Sequence, residues 1–392
     1  MSALSGITVL ELAEGVAGEY CGKLLAELGA QVIKLERPGC GSPTRRMGPF
    51  VDSVDAPESS GLFAFLNMGK HSVEYDLGAA SPPASFSRLL EKADVVIDDH
   101  SAQWLTDWGL DEDAAAQSHP ELVLCSITPF GLNPPEDRQF AEDLQVFHTS
   151  GLGYHTPSGA DEGRPPLKGA GRFLPSYEAG MEAALCIIAC LSDGSEPFQG
   201  RFIEVSKQSV MASRSDYVLA QMIAGDMDVS PSRHQFDLGG PAGIFPCQDG
   251  FVYLWMSAPA HWEALHQLID DNSWMADFPD RWMELECTPE RVATCRQHIG
   301  AWLKNQHKQE IEEAAQKLGL ILVAVNNVGD LLASPQYQYR HYFAEMAHSK
   351  LGTTHYPTAP YTLSKTPTQA AVSPLLGQHT ADLDILAGGT TS

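Results

Sequence analysis

Ser176 stands at the head of an apolar run, Leu174 to Leu191, and is the first candidate for chemistry in this chain. From Gly180 onward the run is small and apolar, so a helix made of it can be buried on nearly every side. Pro175 suits the first turn of such a helix, and Ser176 suits a polar position at its mouth. A tightly packed helix that opens on a cleft is a platform for one reactive side chain. Cys186 and Cys190 lie one helical turn apart among apolar neighbours, which points to packing and not to redox chemistry.

A second candidate is the loop Pro38–Pro49, with Gly39, Gly41 and Pro43, and the arginines Arg37, Arg45 and Arg46. Guanidinium groups gathered on a glycine-bearing loop can hold phosphates. The same arginines could equally be paired with neighbouring carboxylates, and the sequence leaves both readings open.

The elements that must position these groups alternate. Ile7–Leu12 reads as a buried strand and Tyr20–Leu28 as a helix closed by Gly29. Gln31–Glu36 reads as a second strand, which makes a βαβ unit with a small-residue turn at Glu14–Gly18. The glycines do not form GxGxxG, so no dinucleotide fingerprint is present. Strands at Ser72–Leu77, Asp94–Ile97 and Leu122–Ile127 continue the pattern, with a helix at Ser85–Lys92. An α/β fold follows. Residues 132–173 read as loop, and Gln199–Ser206 as one more strand. A linker spans 225–245. A smaller α+β unit then has strands at Phe251–Trp255 and Leu320–Val325 and helices at His261–Ile269, Thr288–Asn305 and Gln309–Leu318. The residues from Asn326 onward read as irregular. The expected division is 1–224 as a large domain, 225–330 as a small one, and 331–392 as a segment returning to the first.

The 392 residues carry 50 acidic and 25 basic side chains, a formal charge of −25. That balance argues against nucleic-acid binding. No apolar run approaches the ~20 residues of a membrane span, and the N-terminus has no basic leader. The eight cysteines lack CxxC pairing or nearby histidine clusters. A metal site and a disulfide framework are therefore not expected, and reduced thiols in a cytoplasm are.

In these segments the chain resembles family III CoA-transferases, the CaiB/BaiF and formyl-CoA transferase family. The likeness is carried by Leu28–Glu36, Asn67–Asp76, Ser126–Gly131, Ser150–Leu152, Gly180–Leu191, Gln248–Gly250 and Leu376–His379, all in order. The resemblance implies a Rossmann-like large domain, a smaller second domain, and a ring-shaped chain threaded through its partner as an interlocked dimer. It implies transfer of CoA from an acyl-CoA to a carboxylic acid, with CoA as a substrate and no tightly bound cofactor. In the family an aspartate near the mouth of the opening helix attacks the thioester and becomes an acyl anhydride, a form reactive enough to pass the group on. The resemblance also places Val16, Arg37, Arg45, Asn67 and Lys70 at the CoA site. The run Asp237–Gly243 matches a mobile glycine loop that shields the thioester.

Two departures bear on function. Ungapped counting back from Gly180 puts Ser176 where the family has its aspartate, and a serine cannot form the anhydride. Glu178 is two positions further on, about 200° around a helix, so it faces elsewhere unless the turn is remodelled. Asp98-Asp99-His100 replaces the family's Glu-Asn-Phe, and Asp107 stands where an arginine often faces CoA phosphate. The racemase branch of the superfamily would need a histidine where Glu142 stands, and His148 nearby is not a substitute. The leading expectation is a non-nucleophilic subunit of a heteromer whose paralogous partner supplies the aspartate. The alternatives are a homodimer using Glu178 or direct acceptor attack, and a non-catalytic acyl-CoA-binding protein.

Overall fold

In the computed structural model, residues 2–135, 141–155, 172–195, 197–214, 219, 222–225 and 241–386 are described. They fall into two compact units. One holds the described residues of 1–156, 167–227 and 341–392, the other those of 228–340.

The first unit is built on six strands: β1 (Thr8–Glu11), β2 (Gln31–Glu36), β3 (His71–Glu74), β4 (Val95–Asp98), β5 (Val123–Thr128) and β6 (Phe202–Ser206). All pair in parallel, in the order β3-β2-β1-β4-β5-β6. The helices are α1 (Val16–Glu27), α2 (Gly61–Leu66), α3 (Ala84–Leu90), α4 (Ala102–Asp107) and α5 (Glu112–Ser118). They continue with α6 (Asp143–Thr149), α7 (Leu152–His155), α8 (Leu174–Leu191) and α9 (Lys207–Ser213).

A parallel sheet covered on both faces needs strands that are apolar on both sides, and β1 shows it. Val9 packs with Ala17, Cys21, Ala179 and Ala183 on the α1/α8 face. Its neighbour Leu10 packs with Leu35, Phe86, Leu105 and Trp108 on the other. The strand order reverses between β1 and β4, and ligands of such sheets bind at the carboxyl ends flanking that point.

Helix α1 starts a full turn earlier than the sequence reading placed it. The expected turn residues Val16, Ala17 and Gly18 are its first turn, because a Cβ on Gly18 would lie 2.2 Å from that of Ala13. The small residue there permits close helix–strand packing and is not a sign of a loop. The sequence reading also saw no apolar run of spanning length. By length and composition α8 is able to cross a bilayer, but Ala179, Gly180, Ala183, Ala184 and Ile187 pack one face of it into the core. Met181 and Leu185 are exposed, so the helix is not buried on nearly every side as its composition suggested.

The second unit has an antiparallel sheet of β7 (Ala242–Cys247), β8 (Gly250–Trp255) and β9 (Ile321–Val325). Helices Pro259–Leu268, Pro289–Leu303 and Lys308–Lys317 cover one face, around Val252, Leu254, Leu265, Ile299 and Leu322. The stretch after Asn326, expected to be irregular, contains among the described residues three short helices (Val328–Ala333, Pro335–Tyr339 and Leu383–Leu386) and a hairpin of β10 (Phe343–His348) and β11 (Gly352–Pro357). The terminal segment lies on β3, where Gly377 and His379 donate backbone N–H to the Ser72 hydroxyl and carbonyl, each at 2.9 Å.

Candidate active site

Beneath α1 lies a buried ionic network. Lys34 of β2 donates to Glu11 and Ala13 O at 3.0 and 2.9 Å and pairs with Glu19 at 3.0 Å. Lys70 donates to both Glu11 oxygens, to Glu19 O and to Asn67. Asn67 Nδ2 and Thr44 Oγ1 complete the Glu19 carboxylate. Burial pushes the Glu19 carboxyl above its ordinary value and Lys70 below its own, with the opposite charges pulling each back. Two lysines and two glutamates thus neutralise one another inside the protein, and they bolt α1 to β1 and β2.

Lys70 and Arg45 were expected to face CoA phosphates; the structure uses both inside the protein. Lys70 has no exposed side-chain surface and its donors meet the groups above. Arg45 is likewise fully buried, forked onto Glu36 at 2.8 and 2.9 Å and bonded to Glu58 and Pro374 O. Asn67 is equally buried in the network.

For Glu36, burial alone would raise the carboxyl, but the Arg45 hydrogen bonds and charge, with Lys34 and Ser72, lower it from 4.5 to about 2. The folded state therefore gives up this proton more readily than the unfolded chain. The stabilisation is fully present above pH 4.5 and is lost as pH falls toward about 2. At about 1.4 kcal/mol per pH unit, roughly 3 kcal/mol is expected to disappear across that window. Chemical denaturation of the wild type and Glu36→Gln measures it, and equal pH slopes in the two proteins would refute it.

At the strand-order reversal, the Asp99 carboxylate accepts N–H from Glu14 and Gly15 at 3.0 and 2.7 Å, sitting on the N-terminus of α1 beside buried Val16. Arg37 forks onto Glu14 at 2.6 and 2.5 Å and stays half exposed. Asp98 accepts from both the backbone N–H and Nδ1 of His100. Burial would lower the His100 imidazole, but the Asp98 bond and the surrounding carboxylates raise it above its usual value. His100 stacks on Trp104, and Trp104 on Trp108. The residues that depart from the family pattern here therefore fill the helix mouth with the chain's own carboxylate. Asp107 is exposed and accepts from Gln103.

The mouth of α8 is different. Ser176 is 2% exposed, and Asp143 of α6 accepts its N–H at 3.0 Å on Oδ2 and its hydroxyl at 2.9 Å on Oδ1. Lys207, the first residue after β6, donates to Ser176 Oγ at 2.9 Å and to Asp143 Oδ1 at 3.3 Å. Three elements thus bring a hydroxyl, a carboxylate and an ammonium into mutual contact.

Glu178 is not among them. It pairs with Arg214 at 3.0 Å, and Glu182 takes the other side of that guanidinium at 2.7 Å. The rotation of the helix turns it away from Ser176, as the 3.6-residue period requires. This partly exposed pair is worth little. Glu178→Gln is expected to change stability by less than about 1 kcal/mol, read from urea midpoints.

Glu142, which the resemblance sets against the racemase histidine, precedes α6 and takes part in its capping, with its N–H bonded to the Gln145 side chain. His148 lies in the second turn of α6, edge-on to Phe147. Asp237–Gly240 of the glycine run lies outside the described residues.

Sequence reasoning did not find Asp143 or Lys207 as site residues. The signal for Lys207 was available: it stands at the carboxyl end of a parallel strand, where such sheets present their functional side chains. Asp143 had no local signal, since only tertiary packing brings it to Ser176.

A doubly wound sheet, a packed helix with a polar mouth and a second α+β unit define the fold class. The chain belongs to CoA-transferase family III, whose pattern matches residues 4–380. It is 28% identical over 387 residues to a succinate–glutarate CoA-transferase of Agrobacterium fabrum, covering 97% of this chain and 94% of that one. It is 26% identical to the BbsE subunit of a succinyl-CoA:(R)-benzylsuccinate CoA-transferase of Thauera aromatica, over 95% of this chain and 92% of that subunit. The fold matches a crystal structure of a CaiB/BaiF family protein from Brucella suis with a TM-score of 0.81 at 23% identity, covering 98% and 99% of the two chains.

Proposed function

We infer that this chain moves CoA between an acyl-CoA and a carboxylic acid, with a succinyl-type dicarboxylic thioester as donor. The observation that carries the transfer reading is the intact platform: α8 packed on α1 through Gly180, with a carboxylate and a cation gathered at its mouth. The donor class is supported by the two relatives, both named for succinate or succinyl-CoA.

The chain works in an interlocked dimer of ring-shaped subunits. Ser176 and the likeness to a BbsE subunit favour a paralogous partner that brings the family-type aspartate. Read from Ser176 alone, this chain is the supporting subunit of that pair. Of the residues expected at CoA, half-exposed Arg37 remains the candidate for contact, because Val16, Arg45, Asn67 and Lys70 are buried in the fold. CoA phosphates would have to displace Asp99 from the α1 N-terminus or approach along Arg37.

Radiolabel exchange between succinyl-CoA and free dicarboxylates, with the chain purified alone and co-expressed with its paralogue, tests the reading. Exchange that needs the paralogue supports the heteromer. Exchange by the chain alone replaces it with a homodimer. Absence of exchange in both preparations, with tight CoA binding by calorimetry, leaves an acyl-CoA-binding protein and overturns transfer.

A further inference from the structure

Asp143 is a buried carboxylate whose partners are unlike those of an ordinary ion pair. Among the described residues its Oδ1 takes the Ser176 hydroxyl and the Lys207 ammonium, and its Oδ2 takes only the Ser176 N–H. A carboxylate has roughly four acceptor directions, so one on Oδ2 is left for another partner. Asp143 and Ser176 are 8% and 2% exposed, so water competes weakly for the charge. The first turn of the 18-residue α8 adds its positive end to the Lys207 charge. Helix capping by itself explains the Ser176 N–H bond. It does not call for a hydroxyl and an ammonium gathered on the other oxygen.

We propose that Asp143 is the acyl-accepting carboxylate of this chain: the nucleophile stands on α6 and meets the mouth of α8 from outside, beside the serine that occupies the expected position. The proposal rests on the CoA-transfer reading above but not on which chain is the partner. It makes this chain's own centre competent even within a heteromer.

The steps balance without an added proton or electron. An Asp143 oxygen attacks the thioester carbonyl, a C–O bond forms, the C–S bond breaks, and CoA leaves as thiolate. The mixed anhydride is then attacked by the thiolate at the Asp143 carbonyl, which frees the donor acid as its carboxylate and leaves CoA on Asp143 as a thioester. The acceptor carboxylate attacks that thioester, again expelling thiolate and giving a new anhydride. Thiolate attack on the acceptor's carbonyl then releases the new acyl-CoA and restores Asp143. Lys207 faces the negative charge that develops on these oxygens.

Ser176 cannot take the same part. An acyl-serine ester has no enzyme carbonyl on which CoA can be held, and attack of a carboxylate on that ester is uphill. Its hydroxyl and N–H position Asp143.

The test uses the full chain, alone and in its native complex, with succinyl-CoA as probe. Hydroxylamine trapping or borohydride reduction is followed by peptide mass mapping, and succinyl-CoA binding is measured separately by calorimetry. The expected result is a hydroxamate or reduced carboxyl at Asp143. It is lost in Asp143→Asn, retained at a roughly tenfold lower rate in Ser176→Ala, and restored toward wild type in Ser176→Thr. The wild-type mapping does not depend on whether any variant folds. An adduct on Ser176, or none while succinyl-CoA binds or exchange proceeds, overturns the assignment and leaves the transfer reading standing. No binding and no exchange in either preparation overturns both.

Discussion

Lys70→Met is expected to lower the unfolding free energy by about 3–5 kcal/mol, the cost of leaving a buried charge without its partner. Lys70 is the only described cation touching both oxygens of Glu11, at 3.0 and 2.7 Å, and it also holds the Glu19 carbonyl and Asn67. Its removal leaves Glu11 and Glu19, both fully buried, sharing Lys34 alone. The carboxylates must then either stay charged in a dry site or take up protons, and each route costs folding energy. Urea unfolding at neutral pH measures the loss, and the loss should shrink in acid as the carboxyls protonate. A double variant, Lys70→Met with Glu11→Gln, should recover part of the stability, because the unpaired charge goes with its partner. A loss below about 1 kcal/mol for Lys70→Met would mean that water reaches the network, contrary to its burial.

Gly180→Ala is expected to destabilise by about 1–3 kcal/mol, as an overpacked core contact does. A Cβ built there would stand 2.4 Å from Ala17 O and 3.3 Å from both Cys21 N and Tyr20 Cβ. The first of these is backbone of α1, which the ionic network prevents from yielding. Since α8 must then move, Ser176 and Asp143 separate, and exchange activity should fall by more than the stability loss alone explains. Thermal unfolding and exchange rates on the same preparation check it. An unchanged melting temperature would show that α1 and α8 are not in this close contact.

The two predictions share a line of cause. The network holds α1 on the sheet, α1 receives Gly180 of α8, and α8 sets Ser176 against Asp143 and Lys207. Groups far from the chemistry in sequence thereby fix its geometry.

Apolar runs and glycine placement determined the α/β class, the six parallel strands to within three residues at either end, and α8 as a packed helix, but not the order of the strands across the sheet. Strands buried on both faces write their burial into a continuous apolar run and packed helices into every third or fourth side chain, and both patterns are local. The β10/β11 hairpin was not legible because little of it is buried. Gly352–His355 is exposed and only Tyr356 of β11 is deeply packed, so no alternating apolar signal exists. The family's motifs located the mouth of α8 and exposed the serine in it. They did not say which cations bind phosphate and which are structural. Arg45 and Lys70 look like ligand-binding residues in a loop, yet partners as distant in sequence as Glu11, Glu58 and Pro374 consume their donors. Asp143 and Lys207 illustrate the same limit from the other side. They stand 33 and 31 residues from Ser176, on separate elements, and only packing brings three hydrogen-bonding groups to within 3.3 Å of one another. The sequence by itself set the platform and the serine at its mouth. The tertiary structure decided which carboxylate and which ammonium meet that serine, because a hydrogen bond depends on distance in space and not along the chain.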